Sequence, residues 1–168
     1  LLGVAAGTQV GVQATLMFMT LYVVDQIGFF AILLSLSRNG RPIRKIADLA
    51  GLKKDRPVTA VALTILSLSA VGIPPMSGFW GKFYVFIAAV DAKLYTLAVI
   101  GVVTSVVGAY YYLRMVKVMY FDEPKPAFET ADYGVRGIML VASLFVLLLS
   151  FVPGPLFNSA AAAAKSLF

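Results

Sequence analysis

The sequence predicts an all-α integral membrane protein, a transmembrane helix bundle in which one helix is discontinuous. Of the 168 residues, 60% are hydrophobic and 13% are charged, and the mean hydropathy is +0.89. An average soluble domain has roughly 45–50% apolar residues. Four segments approach or exceed the roughly 20 apolar residues that cross a bilayer. One of them carries two consecutive prolines in its middle, which a continuous helix does not tolerate.

Two residue types that carry much protein chemistry are absent from the sequence, Cys and His. Without Cys there is no thiolate zinc site and no iron–sulfur ligation, and without His the commonest general base and haem ligand are missing. No catalytic motif, phosphate-binding glycine loop or cluster of metal ligands is present. We therefore expect no metal, cofactor or redox centre on this chain, and we look for its chemistry among ionisable residues inside the spans.

The first predicted element is incomplete. The apolar stretch from Leu1 to Gly7 is too short to span a bilayer, so residues 1–10 are interpreted as the end of a preceding transmembrane helix and a short loop. On this interpretation the chain is a fragment. The first full span then covers residues 11–37.

A basic loop at 38–56 follows the first span. Its apolar residues at helical spacing predict a short amphipathic helix in the membrane interface, and a surface loop packed on neighbouring protein is an equal alternative. The stripe consists of Ile43, Ile46, Ala47 and Ala50.

The segment 57–90 is the discontinuous transmembrane helix. A straight helix over its apolar residues would be about 50 Å long, too long for one span and too short for two. The run at 72–78 breaks it into two halves, neither of which crosses alone. Such a break is tolerated only where the freed backbone groups are buried in protein or line a cavity. The residues that define the break are Gly72, Pro74, Pro75, Gly78 and Gly81.

The remaining elements are two further spans, at 94–120 and 137–157. A loop at 121–136 joins them, and residues 158–168 form a tail. In the span at 94–120, small residues share one face, which predicts close helix packing. They are Gly101, Ser105 and Gly108.

Lys and Arg are concentrated in the first loop and at the junction of the third and fourth spans, which places the two long loops in the cytoplasm. Eleven of these cations lie there, against Lys93 and Lys165 on the opposite side. The formal charge of +6 is therefore a signal of topology rather than of nucleic-acid binding, and the expected partner is the lipid bilayer. The eleven are Arg38, Arg41, Arg44, Lys45, Lys53, Lys54, Arg56, Arg114, Lys117, Lys125 and Arg136. The acidic residues of the second loop, Asp122, Glu123, Glu129 and Asp132, are expected to be solvated.

Lys82 is the main candidate for a functional residue. It lies in the first turn of the second half-helix, about 12 Å of helix from Asp91 and close to the bilayer midplane. A charged Lys there costs about 2.5–3.5 kcal/mol on insertion scales. It must face a cavity, find a partner or be neutral part of the time. The structural alternative is that it donates to the carbonyls freed by Pro74 and Pro75.

Three other charged residues are weaker candidates. Asp25 lies near mid-depth in the first span, where a structural ion pair or hydrogen bond is the favoured interpretation and a role in proton conduction is the alternative. Its depth also makes Lys82 a possible partner. Arg114 and Lys117 lie one turn apart at the cytoplasmic end of the span at 94–120. An interfacial anchor is the favoured interpretation for both, with proton uptake or lipid contact as the alternative.

Two motifs resemble a known family. The run Gly-Ile-Pro-Pro-Met-Ser-Gly-Phe-Trp-Gly-Lys-Phe at 72–83, followed by Ala-Tyr-Tyr-Tyr-Leu-Arg at 109–114, is similar to the antiporter-like membrane subunits of respiratory complex I. The resemblance covers about the last third of such a subunit. It implies an inverted-repeat antiporter-like fold, with Lys82 matching the proton-handling lysine of a broken helix. Asp25 matches no motif of the family.

The resemblance also implies a function. The chain would be a proton-translocating subunit of an NADH:quinone oxidoreductase, and its partners would be other membrane subunits of that complex. A bacterial plasma membrane is the favoured location over a mitochondrial inner membrane. NAD, FMN, iron–sulfur clusters and quinone would belong to other subunits. Two alternatives remain open, a sodium/proton antiporter subunit of the multi-subunit type and a non-conducting scaffold subunit.

Overall fold

The computed structural model describes residues 1–38, 40–124, 127–129 and 133–167. Two charged residues of the predicted loop at 121–136, Lys125 and Asp132, lie outside this part. The described residues form eight α-helices and one two-stranded hairpin. They are α1 (Leu2–Ala5), α2 (Gln9–Ser35), β1 (Ser37–Arg38), β2 (Arg41–Pro42), α3 (Leu52–Asp55), α4 (Pro57–Val71), α5 (Ser77–Asp91), α6 (Tyr95–Phe121), α7 (Tyr133–Phe151) and α8 (Gly154–Lys165).

The helix α2 lies at the centre of the bundle. It begins at Thr8, whose hydroxyl accepts a hydrogen bond from the Gly11 N–H at 3.1 Å and so satisfies one of the free donors of the first turn. It then packs against both halves of the broken helix and against α7 and α8. A side chain on α2 can therefore meet residues of four other helices.

The predicted amphipathic helix of the first loop is wrong. Antiparallel pairing of β1 with β2 takes up the start of the loop, turning at Gly40 (φ +71°), and only a single 3-10 turn forms at Ile46–Leu49. Ala47, which was assigned to the apolar face, is exposed, whereas Leu49 is buried. The alternative of a loop packed on neighbouring protein fits, because Leu49 belongs to the hydrophobic core.

The loops that follow α2 and α6 are joined by Glu129. Its carboxylate accepts hydrogen bonds from the hydroxyl of Ser37 at 2.7 Å and from the backbone N–H of Gly40, and its own N–H donates to the Ser37 carbonyl. These bonds hold the pKa of the Glu129 carboxyl below its usual range. The sequence predicts a solvated Glu129, but in the structure its carboxylate connects the two loops.

The predicted discontinuity is confirmed and is shorter than expected. The first half ends at Val71 and the second begins at Ser77, so residues 72–76 form the break, and Gly78 already lies inside α5. Gly72 ends the first half with φ +86°, the left-handed conformation that glycine adopts without strain. The Pro74–Pro75 peptide bond is cis.

The last predicted span and the tail also differ from the structure. The helix α7 runs from Tyr133 to Phe151 rather than over 137–157, because Pro153 lacks the N–H that would continue it. A new helix, α8, starts at Gly154 and includes most of the predicted tail. The carbonyl of Ser150, left free where α7 ends, accepts a hydrogen bond from the indole N–H of Trp80 at 3.3 Å.

Two hydrophobic clusters lie on either side of the break. One is formed mainly by α2, α4, α6, α7 and the first loop, and includes Phe29, Ile32, Leu49, Leu63, Leu66, Met115, Met119 and Val146. The other joins α2, α5, α7 and α8 through Met17, Leu21, Trp80, Tyr84, Phe145, Phe157 and Ala160. Along α2, Asp25 falls between Leu21 of one cluster and Phe29 of the other. The polar break is thus held between two packed apolar layers.

Within the described residues, three helices are long and apolar enough to cross a membrane, namely α2, α6 and α7. Each half of the broken helix has 15 residues, about 22 Å of helix, so the two halves cross only together. The predicted small-residue face of α6 is used in part. A Cβ atom at Gly101 would lie 2.9 Å from the Phe86 ring, whereas one at Gly108 would meet nothing within 4 Å.

Gly28 lets α2 approach α4 and α7 closely. A Cβ atom there would lie 2.6 Å from the Cβ of Ala142 and 2.9 Å from Cδ1 of Leu66. We expect Gly28→Ala to destabilise the full-length subunit by about 1–2 kcal/mol, since overpacking outweighs the gain in helix propensity. Thermal unfolding in detergent, followed by loss of helical circular dichroism, measures this.

Gly137→Ala is the matched control, because a Cβ atom at Gly137 meets nothing within 4 Å and should leave stability unchanged or slightly raised. Adding Ala142→Gly to the Gly28→Ala variant should restore stability. Equal stability of the two single variants would contradict the close approach of these helices.

Candidate functional site

The end of α4 exposes backbone carbonyls that have no partner within the helix. Gly72 turns the chain so that its own N–H and that of Ile73 return to the carbonyls of Leu68 and Ser69, at 2.8 to 3.1 Å. The carbonyl of Val71 is satisfied differently, by the Lys82 ammonium, whose Nζ donates to it at 2.8 Å. Lys82 thus reaches from α5 back across the break to the C-terminal end of α4.

The stem of Lys82 lies against Gly72. A Cβ atom at Gly72 would lie 2.9 Å from Cδ of Lys82, so only glycine leaves room for this path. The half-buried lysine also lines a cavity of about 190 Å³ that is bounded by α1, α2, α5 and α6, with Thr15, Phe86 and Ser105 among its other lining residues. Lys82 therefore joins a backbone contact on one side to a cavity on the other.

The beginning of α5 is capped by a residue of another helix. The hydroxyl of Ser69, on α4, accepts a hydrogen bond from the Gly78 N–H at 3.1 Å, which satisfies one of the free donors of the first turn. The two segments meet closely here, since a Cβ atom at Gly78 would overlap the carbonyl oxygen of Ser69. The Ser77 hydroxyl lies 3.4 Å from that of Ser69.

Asp25 approaches the same serine from α2. Its side chain is 2% exposed, and Oδ2 accepts a hydrogen bond from the Ser69 hydroxyl at 2.9 Å. Since Ser69 has one proton to donate, Ser77 is the donor in the contact between the two serines. The other carboxylate oxygen of Asp25, Oδ1, is buried and has no hydrogen-bond partner among the described residues.

The structure brings Asp25 and Lys82 to the same break without pairing them. No ion pair joins the two charges. Their helices approach closely at Gly81, where a Cβ atom would lie 3.1 Å from the Cα of Phe18 on α2. The sequence interpretation left open whether the two residues face each other, and they lie on facing helices with separate hydrogen-bond partners.

The other predicted residues divide into two groups. Of the break residues, Gly72, Pro74 and Pro75 lie in the break itself, with Gly72 against the Lys82 stem, and Gly78 and Gly81 lie on α5 with Lys82. Arg114 and Lys117 are exposed near the far end of α6, and Lys117 forms an ion pair of 3.1 Å with Asp122. Arg114 is nine residues, about 13 Å of helix, beyond Ser105 in the wall of the cavity. Neither cation is therefore part of the site.

Two residues of the site were not identified from the sequence, Ser69 and Ser77. Both are almost completely buried, at 0% and 1% exposure. Hydroxyl side chains are among the groups that satisfy the backbone where a membrane helix is interrupted. Their position directly on either side of the interruption was therefore the available signal.

The comparisons with known proteins agree with the motifs. Residues 1–108 match a family model described as NADH:quinone oxidoreductase/Mrp antiporter, TM. The resemblance of the motifs implies the N type, since the lysine at 82 differs from the glutamate usual in the M type and the tyrosines at 110–112 favour N over L. The curated relatives agree with that prediction.

NADH-quinone oxidoreductase subunit N of Paramagnetospirillum magneticum is 47% identical over 169 residues, and that of Beijerinckia indica is 50% identical over 168. Each match covers 100% of this chain and 35% of the relative. The chain therefore spans about a third of the length of the curated relatives that it matches.

Two solved structures share the fold. A chain of respiratory complex I from Thermus thermophilus with bound Aureothin has a TM-score of 0.79 and 30% identity, covering 95% of this chain and 37% of that one. A chain of the Mrp complex from Dietzia sp. has a TM-score of 0.87 over 98% of this chain and 39% of that one. Its 22% identity shows a common fold alone.

Ser69→Ala should destabilise the subunit strongly, because it removes the donor to Asp25 Oδ2 and the acceptor of the Gly78 N–H. Both groups would then be buried without a partner, and we expect a loss of about 2–4 kcal/mol. Thermal unfolding of the full-length subunit in detergent measures it. Ser67→Ala is the matched control, since Ser67 is equally buried on α4 but donates only to the Leu63 carbonyl of its own helix. A similar loss in both variants would show that Ser69 does not have this bridging role.

Proposed function

The chain belongs to the NADH:quinone oxidoreductase/Mrp antiporter membrane family, and on this premise we propose that it forms part of a proton-translocating subunit of an NADH:quinone oxidoreductase. The curated relatives are named as subunit N of that enzyme, which supports the assignment. The subunit would lie in a bacterial plasma membrane and contact other membrane subunits of the complex. NAD, FMN, iron–sulfur clusters and quinone would be bound by those and other subunits, and this chain would move protons.

The observation that carries the proposal is the position of Lys82. An ionisable side chain within a membrane-spanning helix is expensive to insert, and such residues mark ion and proton pathways. Lys82 lies on α5 beside the break, and its side chain reaches the end of α4 and lines a cavity. Irregular backbone at membrane depth is tolerated at such places. Its ammonium is stabilised at the C-terminal end of α4, where the helix dipole is negative.

The proposed mechanism uses this arrangement. Lys82 takes up a proton from the side of the cavity and holds it as an ammonium against the Val71 carbonyl. When a neighbouring charge shifts, the ammonium loses part of its stabilisation and releases the proton towards the opposite side of the membrane. The four-carbon stem of lysine lets the amine move without a change in the helices.

A second candidate function is sodium/proton antiport by a multi-subunit complex. The family description names the Mrp antiporter, and the fold is shared with a chain of the Mrp complex. This function would give sodium-dependent proton exchange in vesicles that lack an NADH-oxidising partner. Absence of such exchange, together with NADH-driven proton pumping, favours the oxidoreductase.

Lys82→Met in the full-length subunit of the assembled complex should lower the number of protons moved per NADH oxidised. Electron transfer to artificial acceptors should remain intact, because the electron carriers would belong to other subunits. Proton uptake or release by proteoliposomes during NADH oxidation is the measurement. Lys93→Met is the control, since Lys93 is exposed just after α5 and should pump as the wild type does.

Lys82→Arg separates proton transfer from a structural role. Arginine keeps the positive charge and can donate to the Val71 carbonyl, but it does not deprotonate in proteins. A scaffold role predicts that the arginine variant assembles and pumps normally. A relay role predicts that it assembles but pumps poorly, as the methionine variant does. Normal pumping by both variants would exclude the proposed relay.

A further inference from the structure

A second buried charge lies at the break, and the Lys82 relay as described does not use it. Asp25 is 2% exposed, and one of its two carboxylate oxygens, Oδ1, has no hydrogen-bond partner in the described part of the chain. Burial of an unpartnered polar atom is unfavourable. A proton can bind at Oδ1 while Oδ2 keeps its hydrogen bond from Ser69. The carboxyl can therefore keep its hydrogen bond from Ser69 in both its charged and its protonated form.

Each charge of the break is compensated by a different helix end. Lys82 donates to the carbonyl of Val71, at the C-terminal end of α4, where the helix dipole is negative. Asp25 accepts from Ser69, which itself accepts from the Gly78 N–H at the positive end of α5. Because each charge has its own helix end, neither requires an ion pair with the other.

The two groups are also close enough to influence each other. Asp25 and Lys82 form no ion pair, but their helices, α2 and α5, are in close contact beside Lys82. Asp25 is one turn of α2 beyond Leu21, whose Cδ1 would lie 3.3 Å from a Cβ atom at Gly81, next to Lys82. A change in the charge of one group therefore changes the energy of the other.

We propose that Asp25 is a second proton-binding group of the broken helix and that it exchanges a proton with Lys82, with Ser69 holding the carboxyl in place. In the exchange the flexible stem of Lys82 carries the ammonium from the Val71 carbonyl to hydrogen-bond distance of Asp25, where an N–H bond of the ammonium breaks and an O–H bond forms on Asp25 Oδ1. The products are a neutral amine and a neutral carboxylic acid, so the total charge of the break is unchanged and no other reactant is needed. This inference rests on the proposed function of Lys82 and adds a residue that the family resemblance does not supply.

The test uses Asp25→Asn in the full-length subunit of the assembled complex. The amide oxygen still accepts from Ser69, but the side chain cannot bind and release a proton. We expect electron transfer to artificial acceptors to continue and the number of protons moved per NADH oxidised to fall several-fold. Infrared difference spectra of the wild-type complex should contain the carbonyl band of a protonated carboxylic acid, and this band should be absent from the variant.

Controls separate this inference from the proposed function. Asp91→Asn makes the same change at an exposed residue at the end of α5 and should pump normally. The double variant Asp25→Asn, Lys82→Met should pump no worse than Lys82→Met alone, because both residues serve one path. Normal pumping by Asp25→Asn with defective pumping by Lys82→Met overturns the role of Asp25 alone. Normal pumping by both variants overturns the proposed function as well.

A defect in assembly does not prevent the test. If the asparagine variant does not assemble, Asp25→Glu and Asp25→Gln replace it, since these two side chains have the same size and differ only in the ability to carry a proton. Pumping by the glutamate variant and not by the glutamine variant supports the inference. Equal pumping by the two overturns it.

Discussion

The architecture of this chain depends on one constraint, the need to satisfy the backbone groups freed by a helix break inside a membrane. No water is available in hydrocarbon to take their place, and each unsatisfied group costs several kcal/mol. Here the groups are satisfied by three devices that use different chemistry. Gly72 turns two N–H groups back onto α4, Lys82 donates to the Val71 carbonyl, and Ser69 accepts from the first turn of α5. The residues that maintain the break are therefore also the residues that can do chemistry.

The two hydrophobic clusters explain how such a break stays in place. Protein interiors are close-packed and do not deform continuously, so the clusters fix both half-helices to α2 at points above and below the polar layer. Close approach at Gly28 secures one side and close approach at Gly81 secures the other. Between them the backbones at Asp25 and Lys82 are held by packed helices, and the lysine side chain has a flexible four-carbon stem. Precise placement of charges is thus a result of apolar packing outside the site.

Much of this architecture can be predicted from the sequence, for local reasons. Consecutive prolines after a glycine end a helix whatever surrounds them, and hydropathy alone identifies α2, α6 and α7 as long apolar helices. The amphipathic stripe in the first loop failed because tertiary packing decides the conformation there: Leu49, which lies outside the stripe, is buried in the core, and only a 3-10 turn forms. Ser69 could not be assigned from the sequence, because its role depends on the register between α2 and α4, and Asp25 lies 44 residues away along the chain.

Separate compensation of the two charges matters more than their proximity. A direct buried ion pair would hold the lysine proton firmly, because attraction between opposite charges is strong where the dielectric constant is low. In this chain a helix end stabilises each charge instead, and a helix end contributes a smaller stabilisation, typically 0.3–1 kcal/mol and up to about 2 kcal/mol. In the proposed relay, the protonated and neutral forms of the pair then differ less in energy, so that a modest change in a neighbouring charge would move the proton. The two inner helix ends at the break, the C-terminal end of α4 and the N-terminal end of α5, supply this weak compensation. A continuous helix has no such ends inside the membrane.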